Sequence, residues 1–175
     1  LVSVWNQKTT ATMTCLHGSQ ILLQYLHHVR HSLSLLHERL HLPTLHLLAR
    51  SREKHMEDRF IDAISRVKGA FSIILLTDDA MIGARDPHGF RPLSIGRKDG
   101  AWVLSSETCA LDLIGATHER DVEPGEVVVI RRGRLRSIRP MARESKEHFC
   151  IFEQIYFARP DSNLVGYNVY AYRKE

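Results

Sequence analysis

Residues 84–96 read ARDPHGFRPLSIG: an Arg-Asp-Pro, a glycine two residues on and an Arg-Pro, set between two short apolar runs. Pro87 fixes its own φ and biases Asp86 away from helix, while Gly89 tolerates the positive φ of a tight reversal. The stretch is a turn. AFSIILLTDDAMIGA (70–84) precedes it and PLSIGRKDGAWVLSS (92–106) follows, each made of apolar runs broken by Asp-Asp or Lys-Asp-Gly. This pattern predicts antiparallel sheet, with strands at about 70–76, 81–84, 93–97 and 101–105 and a hairpin turn at Asp78 and Asp79. Arg85, Asp86 and Arg91 then fall where two strands meet, and an Arg–carboxylate pair is expected to fix the corner.

Outward from this corner the punctuation stays regular. MEDRFIDAISRVK (56–68) puts Phe60, Ile61, Ile64 and Val67 on one face, acids early, Arg66 and Lys68 late, and Gly69 as a stop, the signature of an amphipathic helix. In SSETCALDLIGA (105–116), Ser105 or Ser106 is expected to cap a short helix ending at Gly115, with Glu107 at its positive end. DVEPGEVVVIRRGRLRSIRP (121–140) reads as a hairpin: a turn at Pro124-Gly125, a strand over 126–131, a reversal at Gly133 and a strand to about 139. Helices flanking antiparallel sheet define an α+β fold. A charged stretch, MARESKEHF, then reads as a linker to a new unit that stops without a closing element.

Composition bounds the function. The chain has 175 residues, 43% hydrophobic and 25% charged, with a formal net charge of +4. That is ordinary globular composition. Lysines and arginines are scattered among acids without interleaved aromatics, so no nucleic-acid partner is expected. Three widely spaced cysteines, Cys15, Cys109 and Cys150, suit a reducing compartment, and no apolar run spans a bilayer. A cytoplasmic protein without a membrane partner is the expectation. Cys109, inside a short apolar helix, reads as a small core residue.

Residues 1–43 are different in kind. Their only acid is Glu38, and they hold six of the eleven histidines. Such a Leu/His-rich stretch specifies neither face of a helix well and reads as disordered or as translated in another frame. His27, His28 and His31 lie at helical spacing, but no carboxylate or thiolate completes a metal set.

RVKGAFSI, ARDPHGFRPLSIG, SSETCALDLIGA, RDVEPGEVVVI and CIFEQIYFARPDSNLVGYNVY, in this order, resemble the glutamine phosphoribosylpyrophosphate amidotransferase family of class II glutamine amidotransferases. The resemblance runs from about Thr44 to Glu175. It implies the N-terminal-nucleophile hydrolase fold, an αββα sandwich, present here as its C-terminal part. It also implies three stretches: an atypical 1–43, a glutaminase portion over 44–139, and a linker with the start of a truncated phosphoribosyltransferase domain over 140–175. Arg85, Asp86, Gly89, Arg91 and Pro92 hold a corner in this picture, and Arg159, Pro160, Asp161 and Ser162 shape the start of the second domain or form a turn.

The parent activity implied is formation of 5-phosphoribosylamine from phosphoribosylpyrophosphate and glutamine, opening purine biosynthesis, by a homo-oligomer using magnesium and, in some members, a four-iron cluster. Cys150 aligns with a cluster ligand of those members and is the one metal position carried over. In such enzymes an N-terminal cysteine attacks the glutamine amide. The sequence begins with Leu1, none of its cysteines opens a Cys-Gly-Ile strand, and the phosphoribosyl-binding loop is not found. No catalytic or cofactor-binding residue is therefore expected in this chain, nor activity from it alone. Two further readings are a non-catalytic interaction or structural remnant and a His-rich metal-binding protein.

Overall fold

The computed structural model describes residues 2–5, 44–141, 148 and 150–174. The histidine-rich segment and Cys15 lie outside them. The chain divides into two compact units, Thr12–Lys68 and Leu1–Ala11 with Gly69–Glu175.

In the first unit, residues 44–50 are helical (α1) and Met56–Ser65 forms α2. Phe60, Ala63 and Ile64 of α2 are buried, while Ile61 and Val67 are half-buried. The helix stops three residues before the expected end. Arg66 and Val67 donate instead to Ala63 and Ile64, three residues back, a tightening common at helix ends. Asp62 takes a hydrogen bond from Arg66 at 2.8 Å, and its carboxyl is held below the usual range by Ser51 first and Arg66 after it.

The second unit is a sandwich of two four-stranded antiparallel sheets. One has the order β1 (Val2–Trp5), β5 (Ala101–Ser105), β4 (Ser94–Lys98), β6 (Thr117–Asp121). The other has the order β2 (Ser72–Leu76), β3 (Ala80–Arg85), β7 (Val127–Arg131), β8 (Arg134–Ile138). The strands expected around the corner and in the 126–139 hairpin are all present. Strand β6 was not expected. Its sequence, THERD, has no apolar alternation because it lies at a sheet edge with Thr117 to Glu119 exposed.

The period-2 rule of strands explains the layering. Met81, Val128 and Ile130 from one sheet meet Leu93, Ile95 and Leu104 from the other in one buried cluster with Val122. Val103, whose side chain points to the opposite face from Leu104, packs with Leu111 of α3 (Thr108–Leu113) and with Ala116. Gly96, paired with Val103, lets α3 approach, since a Cβ there would stand 2.8 Å from a Leu111 methyl and 3.0 Å from the Thr117 carbonyl. A helix thus covers the outer face of the β4–β5 pair.

Two-residue turns join β4 to β5 at Asp99-Gly100 and β7 to β8 at Arg132-Gly133, all four residues at positive φ. This geometry matches the right-handed twist of the flanking strands, and Asp-Gly is a strong sequence signal for it. Trp102 Nε1 donates to the Gly133 carbonyl at 3.0 Å, tying one sheet to the hairpin end of the other, and its ring carries the Arg97 guanidinium at 4.3 Å. On the edge strand β8, Arg134 and Arg136 face solvent.

Residues 150–174 belong to the same compact unit as the sandwich. They comprise a wide helical turn, Glu153–Phe157, closed by Ala158 N–H to the Glu153 carbonyl at 2.8 Å, then β9 (Asn163–Leu164), β10 (Tyr167–Asn168) and α4 (Val169–Lys174). Ala158, Leu164 and Val169 form a small core of their own.

Candidate functional site

The corner at 85–92 is built from a turn with Asp86 at its first position, Pro87 second and Gly89 fourth, closed by Gly89 N–H to the Asp86 carbonyl at 3.0 Å. Asp86 is fully buried, and its carboxylate accepts four backbone N–H groups. His88 (3.0 Å) and Phe90 (3.3 Å) donate to Oδ1, and Phe71 and Arg91, both at 3.3 Å, donate to Oδ2. The Asp86 main chain also bonds Phe71 and Gly125. One residue therefore gathers the entry to β2 and the reversal through its carboxylate and the 122–126 loop through its carbonyl.

Arg85, at the end of β3, completes the knot from the opposite charge. Its Nε donates to the Arg91 carbonyl, Nη1 to Val122 and Nη2 to Gly89, each at 2.8 Å. The expectation of an Arg–carboxylate pair among Arg85, Asp86 and Arg91 needs correction here. Asp86 spends its oxygens on backbone donors, Arg85 reaches carbonyls, and the Arg91 guanidinium turns away to the Glu153 carboxylate and lies 5.3 Å from the Phe157 ring centroid. The buried Asp86 carboxylate is satisfied by several oriented peptide dipoles.

A second buried carboxylate supports the corner from below. Glu126, with about 1% of its surface exposed, takes a two-toothed pair from Arg120 at 2.9 and 2.7 Å, the Ser137 hydroxyl at 2.6 Å and Glu123 N–H at 2.7 Å. Burial pushes its carboxyl upward, but the bonds from Arg120, Ser137 and Glu123 outweigh that and hold it below its ordinary range. The Glu126 carbonyl in turn receives Arg85 N–H at 3.1 Å. The sequence reading passed over this residue, although a lone acid heading the apolar run EVVVI was a visible signal.

The tail meets the sandwich at the corner and at α3. Phe90 stacks on His148, and Glu107 Oε2 accepts Arg159 N–H at 2.8 Å and the Ser162 hydroxyl at 2.7 Å. The expected cap is revised accordingly. Glu107 itself stands at the cap position of α3 with its carboxylate directed to the tail, while the Ser105 hydroxyl bonds the Glu107 main chain. Thr108 Oγ1 accepts Asn163 N–H at 2.8 Å.

Cys109 is buried beside Glu107, its Sγ 3.6 Å from Oε2, and burial first, with the Glu107 charge, pushes its thiol up. A protonated buried thiol is a poor nucleophile, in keeping with a core role. Cys150 is half-buried. Among the described residues no three His, Cys, Asp or Glu side chains gather to hold a metal ion, so these residues do not themselves make up a site for a cluster or for magnesium. Arg159 and Asp161 form an exposed two-toothed pair at 3.0 and 2.9 Å across a turn closed by Ser162 N–H to the Arg159 carbonyl at 3.0 Å. Asp79 accepts the Thr77 hydroxyl within the β2–β3 hairpin. No helix among the described residues is long and apolar enough to cross a membrane.

The buried Arg-Asp corner lies within residues 43–113, which match the family described as glutamine amidotransferase domain. The particular likeness is to amidophosphoribosyltransferase. The enzyme of that name from Rhizobium etli is 49% identical over 134 residues, covering 74% of this chain and 27% of the relative. The chloroplastic enzyme of Glycine max is 47% identical over 132 residues, covering 75% and 23%. The solved glutamine phosphoribosylpyrophosphate amidotransferase of B. subtilis, in complex with ADP and GMP, superimposes with a TM-score of 0.69 at 43% identity, covering 75% of this chain and 29% of that one. The chain spans about a quarter of the length of these relatives.

Proposed function

We propose that this chain contributes the C-terminal part of the glutaminase sandwich, with the segment leading out of it, to an amidophosphoribosyltransferase. The activity of the whole is transfer of glutamine-derived ammonia to phosphoribosylpyrophosphate, giving 5-phosphoribosylamine. The observation that carries this reading is the joined corner: Asp86 and Arg85 lock the reversal, and Arg91 extends the lock to Glu153 of the segment quoted above for its resemblance. The described residues supply a scaffold. Cys109, the thiol beside the Glu107 carboxylate, is buried, and burial pushes it up, which suits a core role rather than a nucleophile's. The purified chain is accordingly expected to hydrolyse no glutamine.

A transplant tests the reading. Residues 44–175 replace the matching segment of the B. subtilis amidophosphoribosyltransferase, and phosphoribosylamine formation from glutamine is measured. Retained activity, abolished when Asp86→Ala is added, is the expected result. A folded but inactive transplant overturns the assignment.

A further inference from the structure

The tail is attached to the sandwich in an unusual way. Segments that dock on a domain ordinarily do so by burying apolar side chains, yet Phe152, Tyr156, Phe157, Tyr167 and Tyr170 are each more than half exposed. The tail's own core is only Ala158, Leu164 and Val169. What joins it to the sandwich is directional. At one end Glu153, itself buried, pairs with Arg91 of the corner. At the other, Glu107 holds Arg159 N–H and the fully buried Ser162 hydroxyl, and Thr108 holds Asn163 N–H.

We infer that Arg91 and Glu107 are positioning residues forming a two-point polar latch, which holds residues 150–174 in one register on the sandwich and transmits order at the 85–92 corner to that segment. The register follows from unsatisfied groups. A slip of one residue leaves the Glu153 carboxylate buried without its cation and the Ser162 hydroxyl without its acceptor, and each orphaned group opposes the slipped state. Of the exposed aromatics, Phe157 adds its ring contact with Arg91, while Phe152, Tyr156, Tyr167 and Tyr170 impose no comparable penalty. Docking is therefore all-or-none, and the corner and the tail order together. The latch goes beyond the reading proposed above and stands on geometry alone, so an inactive transplant leaves it untouched.

Hydrogen exchange on the full chain tests it. Arg91→Ala and Glu107→Ala are each expected to speed exchange of amides in 153–164 by at least tenfold while the β7 peptide, 126–131, exchanges as before. Glu107→Gln keeps an oxygen for both Arg159 and Ser162 and is expected to restore most of the protection. Thr108→Val, which deletes the hydroxyl that accepts Asn163 N–H and donates to the Asn163 carbonyl, gives a smaller change in the same peptides and serves if an alanine variant does not fold. Unchanged tail exchange in these variants, or an equal rise in β7, overturns the latch, as does failure of Glu107→Gln to rescue.

Discussion

Asp86 illustrates how much of this structure turns on single carboxylates. Its four N–H donors come from residues 71, 88, 90 and 91, and they converge on a side chain that is itself fully buried. Asp86→Ala orphans all four at once and is expected to cost about 4 kcal/mol in urea denaturation, the range for stripping a buried charge of its partners. Asp86→Asn keeps one accepting oxygen and turns an amide toward the other two donors, so its loss is expected to be about half as large. Glu126 gives a pH signature instead. Its folded carboxyl titrates below its ordinary 4.5, so the stability it contributes is complete above that pH and is lost as pH falls through the lower folded value. Wild-type stability is expected to fall more steeply between about pH 5 and 3 than that of Glu126→Gln. Urea midpoints across that interval measure the difference.

Elements obey local rules where the local sequence is informative. The β7–β8 turn needs both Arg132 and Gly133 at positive φ, so Gly133→Ala is expected to destabilise the hairpin by about 1 kcal/mol, read from the thermal midpoint. The β9–β10 turn carries Val165 at φ 52°, a conformation that a β-branched side chain resists. Val165→Asn is expected to raise stability by about 1 kcal/mol, seen as slower exchange of the β9 and β10 amides. The same locality decided what sequence could reveal. Lys-Asp-Gly, Pro-Gly and the alternating runs made six strands, two helices and the corner legible. Strand β6 stayed hidden because THERD has no buried face to imprint a period. The corner's bonding stayed hidden too, since composition shows that Arg and Asp are near each other but not that each would choose peptide groups. Glu107 was legible at the start of its helix, but its tail partners, and the pairing of Glu153, were not: they lie 52 to 55 and 62 residues away, and nothing local marks such a pair.

For the molecule as a whole, the two sheets share one apolar interior, which Val122 joins, while the joints to the tail and at Glu126 include the ion pairs Arg91–Glu153 and Arg120–Glu126. Interior and joints should respond separately to solvent. Raising salt screens exposed pairs but leaves dry contacts alone. Salt is therefore expected to loosen the half-exposed Arg91 side of the tail attachment before it alters the sandwich, which exchange measured at low and at about 1 M salt distinguishes.

Strand β8 has one more effect, on how these molecules treat one another. Its outer backbone edge, which pairs with no strand among the described residues, is an invitation to a neighbour's strand, the first step toward stacked fibrils. Arg134 and Arg136 stand along that edge, so a second copy arriving in register meets like charge and is turned away. Replacing both with threonine should leave each molecule folded and make the population gregarious, with light scattering rising at concentrations where the parent chain stays clear.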